Sequence, residues 1–264
     1  MEMPVLDGDV CRRCGDPLTA AAPLELCRAC RLAPPAFERA VAYARYEDRM
    51  REAIHALKYE GMHPAARRMG AMLAQAVAKL ADETPGTPRA MLVVPVPLHR
   101  SKHAQRGFNQ ARVLAGHALA ALRRSHSEWR LKLAPRALMR IRATETQAGL
   151  SPRGRRMNVR GAFQVTDAAT VRGRDVLLVD DILTTGATAR AASLALKRAG
   201  AKTVWVATLA RAGRIYPARA GRLDEQVEDG DEAGGTYDAP DGQEIRQEFR
   251  QGFKARMHSL DDSF

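Results

Sequence analysis

A strand-helix-strand pattern between residues 176 and 209 constrains the fold more than any other feature of the sequence. Residues 176–179 are apolar at every position, which is typical of a central parallel strand covered on both faces. Residues 187–198 have helical periodicity, Gly200 ends the helix, and residues 203–209 form another apolar run. This order predicts a β-α-β unit, and therefore an α/β protein with a parallel sheet.

Two carboxylates and three threonines follow the first strand of this unit. Residues 180–188 read Asp-Asp-Ile-Leu-Thr-Thr-Gly-Ala-Thr and lie at the carboxyl end of a strand, where ligands bind in open α/β sheets. The free N–H groups of the next helix can bind phosphate, and Gly186 allows its close approach. Carboxylates repel phosphate but accept hydrogen bonds from sugar hydroxyls. The stretch therefore predicts a site for a phosphorylated sugar.

Two other interpretations of this stretch remain open. The paired aspartates are also suited to Mg²⁺ without a sugar, and one of them could cap the helix with no ligand at all. A cap explains one carboxylate but not the threonines and glycine that follow. The stretch lacks the lysine of a P-loop, and no G-x-G-x-x-G turn follows a candidate strand.

The cysteines are confined to the first thirty residues, with the spacing C-x₂-C-x₁₂-C-x₂-C. Two such pairs can surround one tetrahedral Zn²⁺, and the metal can fold a segment too short for a core of its own. An iron–sulfur cluster is the main alternative, and disulfides are disfavoured because no export signal is evident. The predicted metal ligands are Cys11, Cys14, Cys27 and Cys30.

The net charge of +12 is unevenly distributed along the chain. Residues 213–264 hold 7 Lys/Arg and 12 Asp/Glu, so they carry −5 and residues 1–212 carry +17. A surplus of this size attracts nucleic acid or small phosphorylated ligands, although it also suits an ordinary arginine-rich surface. The positive charge therefore belongs to the part of the chain that is predicted to fold.

Composition divides the chain into three predicted parts. Residues 1–35 form the cysteine module, residues 36–212 form the α/β domain, and residues 213–264 form an acidic, flexible tail. No apolar stretch of 18 residues is present to span a membrane, so we expect a cytoplasmic protein.

Two basic segments lie between the cysteine module and the aspartate pair. Residues 99–107 follow an apolar strand at residues 91–96 and are predicted to form a cationic turn. Residues 131–163 are densely arginine-bearing and are predicted to form a mobile loop or an exposed hairpin. Both segments are suited to contact an anion.

Several segments occur together in one order that resembles the ComF family of competence-associated proteins. The aspartate-threonine stretch is similar to the phosphoribosyl pyrophosphate motif of type I phosphoribosyltransferases. The resemblance covers residues 11 to about 211. It rests also on the cysteine module, Leu57-Lys58-Tyr59-x-Gly61, Val94-Pro95-Val96-Pro97-Leu98, Arg106-Gly107-Phe108-Asn109-Gln110, and Gln147-x-x-Leu150 with Arg155, Asn158 and Phe163.

The resemblance implies a type I phosphoribosyltransferase-like parallel sheet flanked by helices, with a small zinc-ribbon-like module. It implies structural Zn²⁺ and Mg²⁺ bound with phosphoribosyl pyrophosphate. The implied ribose-phosphate ligands are Asp180, Asp181, Thr184, Thr185, Gly186, Ala187 and Thr188, of which the two aspartates would serve any catalysis. The implied pyrophosphate ligands are Arg100, Lys102 and Arg106, joined by Arg155 and Arg156 from a loop over the site.

The resemblance also implies a role in DNA uptake, in which the protein handles incoming single-stranded DNA beside a DNA-uptake helicase. An active phosphoribosyltransferase is the first alternative, but the arginine-rich loop offers no recognisable pocket for an acceptor base. A cysteine-cluster protein, related to gluconate-utilisation and iron–sulfur maturation proteins, is the second alternative.

Overall fold

The computed structural model describes residues 10–18, 25–59, 63–143 and 152–213, which all belong to the unit Met1–Tyr216. Several predictions lie outside the described residues: those for the tail beyond residue 213, for Gly61, and for Gln147 and Leu150.

Helices and strands alternate through most of the described chain. In chain order the elements are α1 (Arg28–Leu32), β1 (Ala40–Arg45), α2 (Asp48–Tyr59), α3 (His63–Glu83), β2 (Ala90–Pro95), α4 (Arg100–Arg106), α5 (Gln110–Ser125), β3 (Arg130–Leu133), β4 (Leu138–Arg140), α6 (Pro152–Val159), β5 (Phe163–Val165), α7 (Ala168–Val171), β6 (Asp175–Leu183), α8 (Ala187–Arg198) and β7 (Thr203–Arg211).

Five parallel strands form the central sheet in the order β1-β7-β6-β2-β3. The connection from β6 through α8 leads to β7 on one side, and the connection from β2 through α5 leads to β3 on the other. The chain thus departs in opposite directions from the neighbouring strands β2 and β6. Such a switch point opens a crevice at the carboxyl ends of the two strands, where α/β proteins bind ligands.

The two faces of the sheet are covered by different elements. Leu177 and Val179 of β6 join a core that also contains buried residues of α2, α3 and α5. Val176 and Leu178 point to the opposite face and pack with α8, the β4–β5 pair and the four cysteines. The predicted parallel sheet flanked by helices is confirmed, and the cysteine module shares the core on the α8 face.

The arginine-rich segment 131–163 contains more regular structure than the predicted loop or hairpin. β3 joins the central sheet as an edge strand, whereas β4 and β5 pair with each other in an antiparallel ribbon. Leu138 and Phe163 are buried and anchor this ribbon. The arginines conceal the pattern because the apolar residues between them are few and the strands have only three or four residues.

The predicted cationic turn at residues 99–107 contains the short helix α4. The side chain of His99 caps its first turn by accepting a hydrogen bond from the Ser101 N–H group. Gly107 ends it in the left-handed conformation, at φ 78°. Among the described residues, no helix is long and apolar enough to cross a membrane.

Candidate functional site

A cavity of about 340 Å³ lies in the crevice between the carboxyl ends of β2 and β6. Its walls come from the ends of these two strands, the loop after β6, the last turn of α2, and elements of the arginine-rich segment. The lining residues are Lys58, Val96, Pro97, Leu98, Lys102, Arg106, Gln110, Arg140, Arg155, Asp180, Asp181, Ile182, Thr184 and Thr188.

Asp181 is held in place by a network of side chains from three elements. Its Oδ2 atom lies 2.7 Å from Nζ of Lys58 and 3.5 Å from Nε2 of Gln110. Its Oδ1 atom accepts a hydrogen bond of 2.8 Å from the Ile182 N–H group. Arg106 donates to Oε1 of Gln110 at 2.7 Å, so the network continues to the cationic wall of the cavity.

The charges of this network are mutually dependent. Burial is the largest single influence and lowers the pKa of Lys58. The attraction and hydrogen bond of Asp181, together with the charge of Asp180, outweigh burial and leave the pKa above its ordinary value. Lys58 therefore stays protonated and neutralises one of the two carboxylates. A sugar hydroxyl that approaches Asp181 has to share it with Lys58 and Gln110.

Asp180 has a less favourable environment for its negative charge. Its carboxylate accepts a hydrogen bond from the Asp181 N–H group at 2.9 Å. Burial and the neighbouring charge of Asp181 raise the pKa of Asp180 well above its ordinary value, against a smaller lowering by Lys58. Hydrogen-bond donors from a ligand, such as the hydroxyls of a ribose, would stabilise the negative charge of Asp180.

Further cationic side chains line the same cavity. Burial, together with the nearby charges of Arg140 and Arg106, lowers the pKa of Lys102. Burial also lowers the pKa of Arg140, whose guanidinium group lies 5.5 Å from the centre of the Phe163 ring. This concentration of like charge disfavours the empty cavity and favours an anionic ligand.

The loop after β6 leads directly into the first turn of α8, a helix of 12 residues. Gly186 has φ 75°, a conformation that few other residues adopt without strain. Oγ1 of Thr185 lies 3.4 Å from the Ala187 N–H group, which turns the backbone toward the helix. Free N–H groups of a first turn, with threonine hydroxyls beside them, are suited to bind a phosphate.

The cavity brings together most of the side chains that the sequence assigned to a ligand. Asp180, Asp181, Thr184 and Thr188 meet Lys102, Arg106 and Arg155, while Gly186 and Ala187 line a small adjoining cavity. Arg100 is exposed on α4 and lies outside the lining, and the side chain of Arg156 is outside the described residues.

Three polar or charged residues of the cavity lining were not assigned to the site from the sequence: Lys58, Gln110 and Arg140. Lys58 and Gln110 belong to segments on which the family resemblance rests, so that resemblance contained a signal for them. Arg140 stands among many arginines, and only the pairing of β4 with β5 directs it to the cavity.

The four cysteines form a compact cluster that could hold a metal ion. All are buried free thiols, and their sulfur atoms lie within 4.8 Å of one another. The Sγ atoms of Cys14 and Cys27 are 3.7 Å apart. Ligands about 2.3 Å from a tetrahedral Zn²⁺ would be separated by roughly 3.8 Å, so the sulfur arrangement fits such an ion.

Hydrogen bonds among the sulfur atoms make the thiols unequal. Those from Cys14 and Cys30 lower the pKa of Cys11, whereas the hydrogen bond with Cys11 raises the pKa of Cys14 to about 12. Arg190 of α8 approaches from outside, with Nη2 3.6 Å from Sγ of Cys30. A cation at this distance stabilises thiolate charge, as outer-shell groups do around metal sites.

Comparison with known proteins identifies relatives across most of the chain. The model of the phosphoribosyl transferase domain matches residues 113–229. The DNA utilization protein YhgH of Escherichia coli O157:H7 is 35% identical over 206 residues, which cover 78% of this chain and 85% of that protein. The chain belongs to the ComF family.

A second relative in the ComF family is competence protein F of Haemophilus influenzae, which is 29% identical over 204 residues, or 76% of this chain and 84% of that protein. A solved structure of the allosteric regulatory enzyme of purine biosynthesis matches 55% of this chain and 25% of its own, with 25% identity and a TM-score of 0.33. The predicted family membership is therefore confirmed by the sequence relatives.

Proposed function

We propose that this ComF-family chain binds phosphoribosyl pyrophosphate with Mg²⁺ in the crevice between β2 and β6. One observation carries the proposal: the threonines of the loop before α8, the carboxylate of Asp180, whose charge Lys58 compensates only in part, and a group of cations line the same cavity of about 340 Å³. A free phosphate would suit the loop and the cations but not Asp180. A phosphorylated sugar suits all three.

The parts of the ligand correspond to different walls of the cavity. The loop that contains Thr184 and Gly186 would bind the 5-phosphate, and Asp180 would accept hydrogen bonds from the ribose hydroxyls. Lys102 and Arg106 would contact the pyrophosphate, with Arg140 and Arg155 on the facing side. Mg²⁺, when bound to the pyrophosphate and the ribose hydroxyls, would neutralise part of the ligand charge.

Calorimetric titration tests the proposal through the aspartate pair. In Asp180→Asn/Asp181→Asn we expect the affinity for phosphoribosyl pyrophosphate with Mg²⁺ to fall at least about tenfold, because hydrogen bonds to charged acceptors are lost. The affinity for inorganic pyrophosphate should not fall, because the removed carboxylates repel it. An equal fall in the affinity for both ligands would contradict selection for a sugar phosphate.

A matched control removes two carboxylates that do not belong to the cavity lining. Glu52→Gln/Glu128→Gln changes the net charge by the same amount at two exposed positions. We expect this variant to bind both ligands as the wild type does. Failure of the wild type to bind phosphoribosyl pyrophosphate would overturn the proposal itself.

Transfer of the phosphoribosyl group is a separate hypothesis that requires an acceptor. The cavity walls provide cations that could stabilise departing pyrophosphate, which favours the hypothesis of an active phosphoribosyltransferase. Binding of a ligand does not by itself establish that the protein catalyses a reaction. Pyrophosphate release in the presence of a nucleobase would identify both the reaction and the acceptor.

We infer that the cysteine cluster binds Zn²⁺ rather than an iron–sulfur cluster. A cluster inserts several iron and sulfide ions between its four thiolates and would spread them beyond the 4.8 Å within which all four sulfur atoms lie. Metal analysis of purified protein distinguishes the two. Stoichiometric iron with sulfide would support the alternative of a cluster-handling protein.

We further propose that the protein handles single-stranded DNA. The name DNA utilization protein connects its relatives with DNA, without a statement about strands. A groove of about 320 Å³ between α3 and α5 supports this proposal. Its walls carry three arginines and a histidine above a floor of alanine. The lining residues are Arg67, Arg68, Ala71, His117, Ala120, Ala121 and Arg124.

The groove between α3 and α5 is strongly cationic. Residues 63–81 and 110–127 contain no Asp or Glu. In the described part of the chain, no ion pair engages Arg67, Arg68 or Arg124. Exposed guanidinium groups without acidic neighbours bind phosphodiesters and release their counterions.

Salt-dependent binding of a single-stranded oligonucleotide tests this surface. Arg67→Gln/Arg68→Gln/Arg124→Gln should weaken binding and reduce the slope of log K against log salt by up to about 2, because each lost phosphate contact contributes about 0.7. The control Arg28→Gln/Arg51→Gln/Arg198→Gln removes the same charge from exposed positions on other helices. Equal slopes for the two variants would exclude the groove as the DNA surface.

A further inference from the structure

A fully buried guanidinium group connects the cysteine cluster to the loop at the start of α8. Arg211 is the last residue of β7, and its side chain is 1% exposed, as is that of Asp16. Nη2 of Arg211 lies 2.7 Å from Oδ1 of Asp16, which follows Cys14 by two residues. A buried ion pair therefore joins the end of the sheet to the cysteine module.

The other N–H groups of Arg211 bind backbone carbonyls on both sides of this junction. Nε donates to the carbonyl oxygen of Cys14 at 3.1 Å. Nη1 donates to the carbonyl oxygens of Leu183 at 2.9 Å and Thr184 at 2.5 Å. One rigid, planar group thus holds a predicted metal ligand and the first residues of the phosphate loop.

Arg190 forms a second connection between the same two regions. Its backbone N–H donates to the carbonyl oxygen of Gly186 at 2.9 Å, within the first turn of α8. Its side chain reaches the carbonyl oxygen of Ala33 at 2.6 Å and approaches Sγ of Cys30. Both ends of the phosphate loop are therefore tied to the cysteine module.

We propose that Arg211 is a positioning residue that couples metal occupancy of the cysteine cluster to the order of the phosphate loop. The proposal rests on the proposed binding of a sugar phosphate by that loop. Loss of the metal loosens the segment that contains Cys14 and Asp16, because four buried thiols no longer share a central ion. Arg211 then loses its anionic partner in a buried position.

A buried guanidinium group that has lost its carboxylate carries an uncompensated charge, so the side chain moves or water enters around it. Either change releases the carbonyl oxygens of Leu183 and Thr184, and the phosphate loop loses its support. Because coupling between two sites is reciprocal, a sugar phosphate bound in the loop also raises the affinity of the cluster for its metal.

The first experiment is a linkage cycle on the wild-type chain loaded with Zn²⁺. Ribose 5-phosphate is the probe. It has no pyrophosphate group to bind Mg²⁺, so it can be titrated without Mg²⁺ while a zinc-selective chelator is present. We expect saturating ribose 5-phosphate to lower the apparent affinity of the chelator for the bound metal at least about fivefold. Removal of the metal should lower the affinity of the protein for ribose 5-phosphate by the same factor. Independence of the two would overturn the proposal.

Variants locate the coupling in Arg211. Arg211→Lys keeps the charge but cannot span the Asp16 carboxylate and the loop carbonyls. We therefore expect the coupling factor to fall at least about twofold while metal is retained, with Arg190 supplying the coupling that remains. The control Arg13→Met removes donors to the carbonyl oxygens of Phe37 and Glu38, which hold the module but do not touch the loop. It should keep the coupling factor of the wild type.

Hydrogen exchange separates failure of the coupling from failure of the proposed ligand. On metal removal we expect faster exchange in the module, in residues 183–190 and at the end of β7, with no change in α3 and α5. This readout requires no sugar phosphate and no variant, so it decides the coupling even if the wild type fails to bind ribose 5-phosphate. Equal loss of protection in α5 would contradict a route through Arg211.

Discussion

Asp180 shows how one position can lower stability and support binding at the same time. Its carboxylate is placed beside Asp181 in a largely buried setting, and its pKa is raised well above its ordinary value. A group with a raised folded-state pKa contributes least to stability once the pH exceeds that value. The ionised form of Asp180 therefore destabilises the unliganded fold at neutral pH.

The variant Asp180→Asn should make the unliganded protein more stable at neutral pH. We expect a rise in Tm of roughly 2–4 °C, the shift that about 1 kcal/mol produces in a domain of this size. The gain should vanish as the pH falls below the ordinary aspartate pKa, where Asp180 of the wild type is protonated as well. Thermal unfolding over a pH series measures this, and a constant difference at all pH values would contradict it.

The sequence could bring candidate site residues together where their side chains are neighbours in the chain, although their assignment to a ligand stays a prediction. Asp180, Asp181, Thr184 and Thr188 share one loop, so their common cavity follows from a single local pattern. Lys58 lies more than a hundred residues away in sequence and meets Asp181 only through the packing of α2. Sequence spacing contains no information about such a distance.

The packing of α3 against α5 depends on one glycine. A Cβ atom at Gly70 would lie 2.3 Å from Cβ of His117 and 3.0 Å from the backbone nitrogen of Ala118. These atoms are fixed to the backbone of α5, so they cannot swing away. Gly70 therefore sets the distance between the two helices that form the cationic groove.

Alanine substitutions at two helical glycines should have opposite effects on stability. Gly70→Ala forces the helices apart, and we expect a loss of roughly 1–3 kcal/mol in the free energy of unfolding. Gly116→Ala on α5 meets no atom within 4 Å and should be neutral or stabilising by up to about 1 kcal/mol. Denaturant unfolding compares the two, and equal effects would contradict the packing argument.

Element boundaries were predictable when they depended on local chemistry. The predicted helix at residues 187–198 matches α8, because Gly186 and Gly200 delimit it. The strand predicted at residues 176–179 extends instead to Leu183, since β7 pairs with it as far as Arg211. The polar Asp180 and Asp181 conceal this extension, which depends on a tertiary partner.

The fold class of the whole molecule could be predicted from one β-α-β unit, but the order of its strands could not. The position of β1 beside β7, at the edge of the sheet, depends on packing across the full length of the domain. The junction at Arg211 was likewise hidden, because Asp16 and Arg211 lie at opposite ends of the folded sequence. The predicted boundary between the cysteine module and the α/β domain stays a prediction about composition.

The position of β1 also determines when the protein can finish folding during its synthesis. Ala40 of β1 pairs with Val206 of β7, so β1 can join the sheet only after β7 has been made. At about 5–20 residues per second, that interval is roughly 10–30 seconds. Throughout it the nascent chain contains β1 without its partner strand, and this edge of the sheet forms only when β7 is complete.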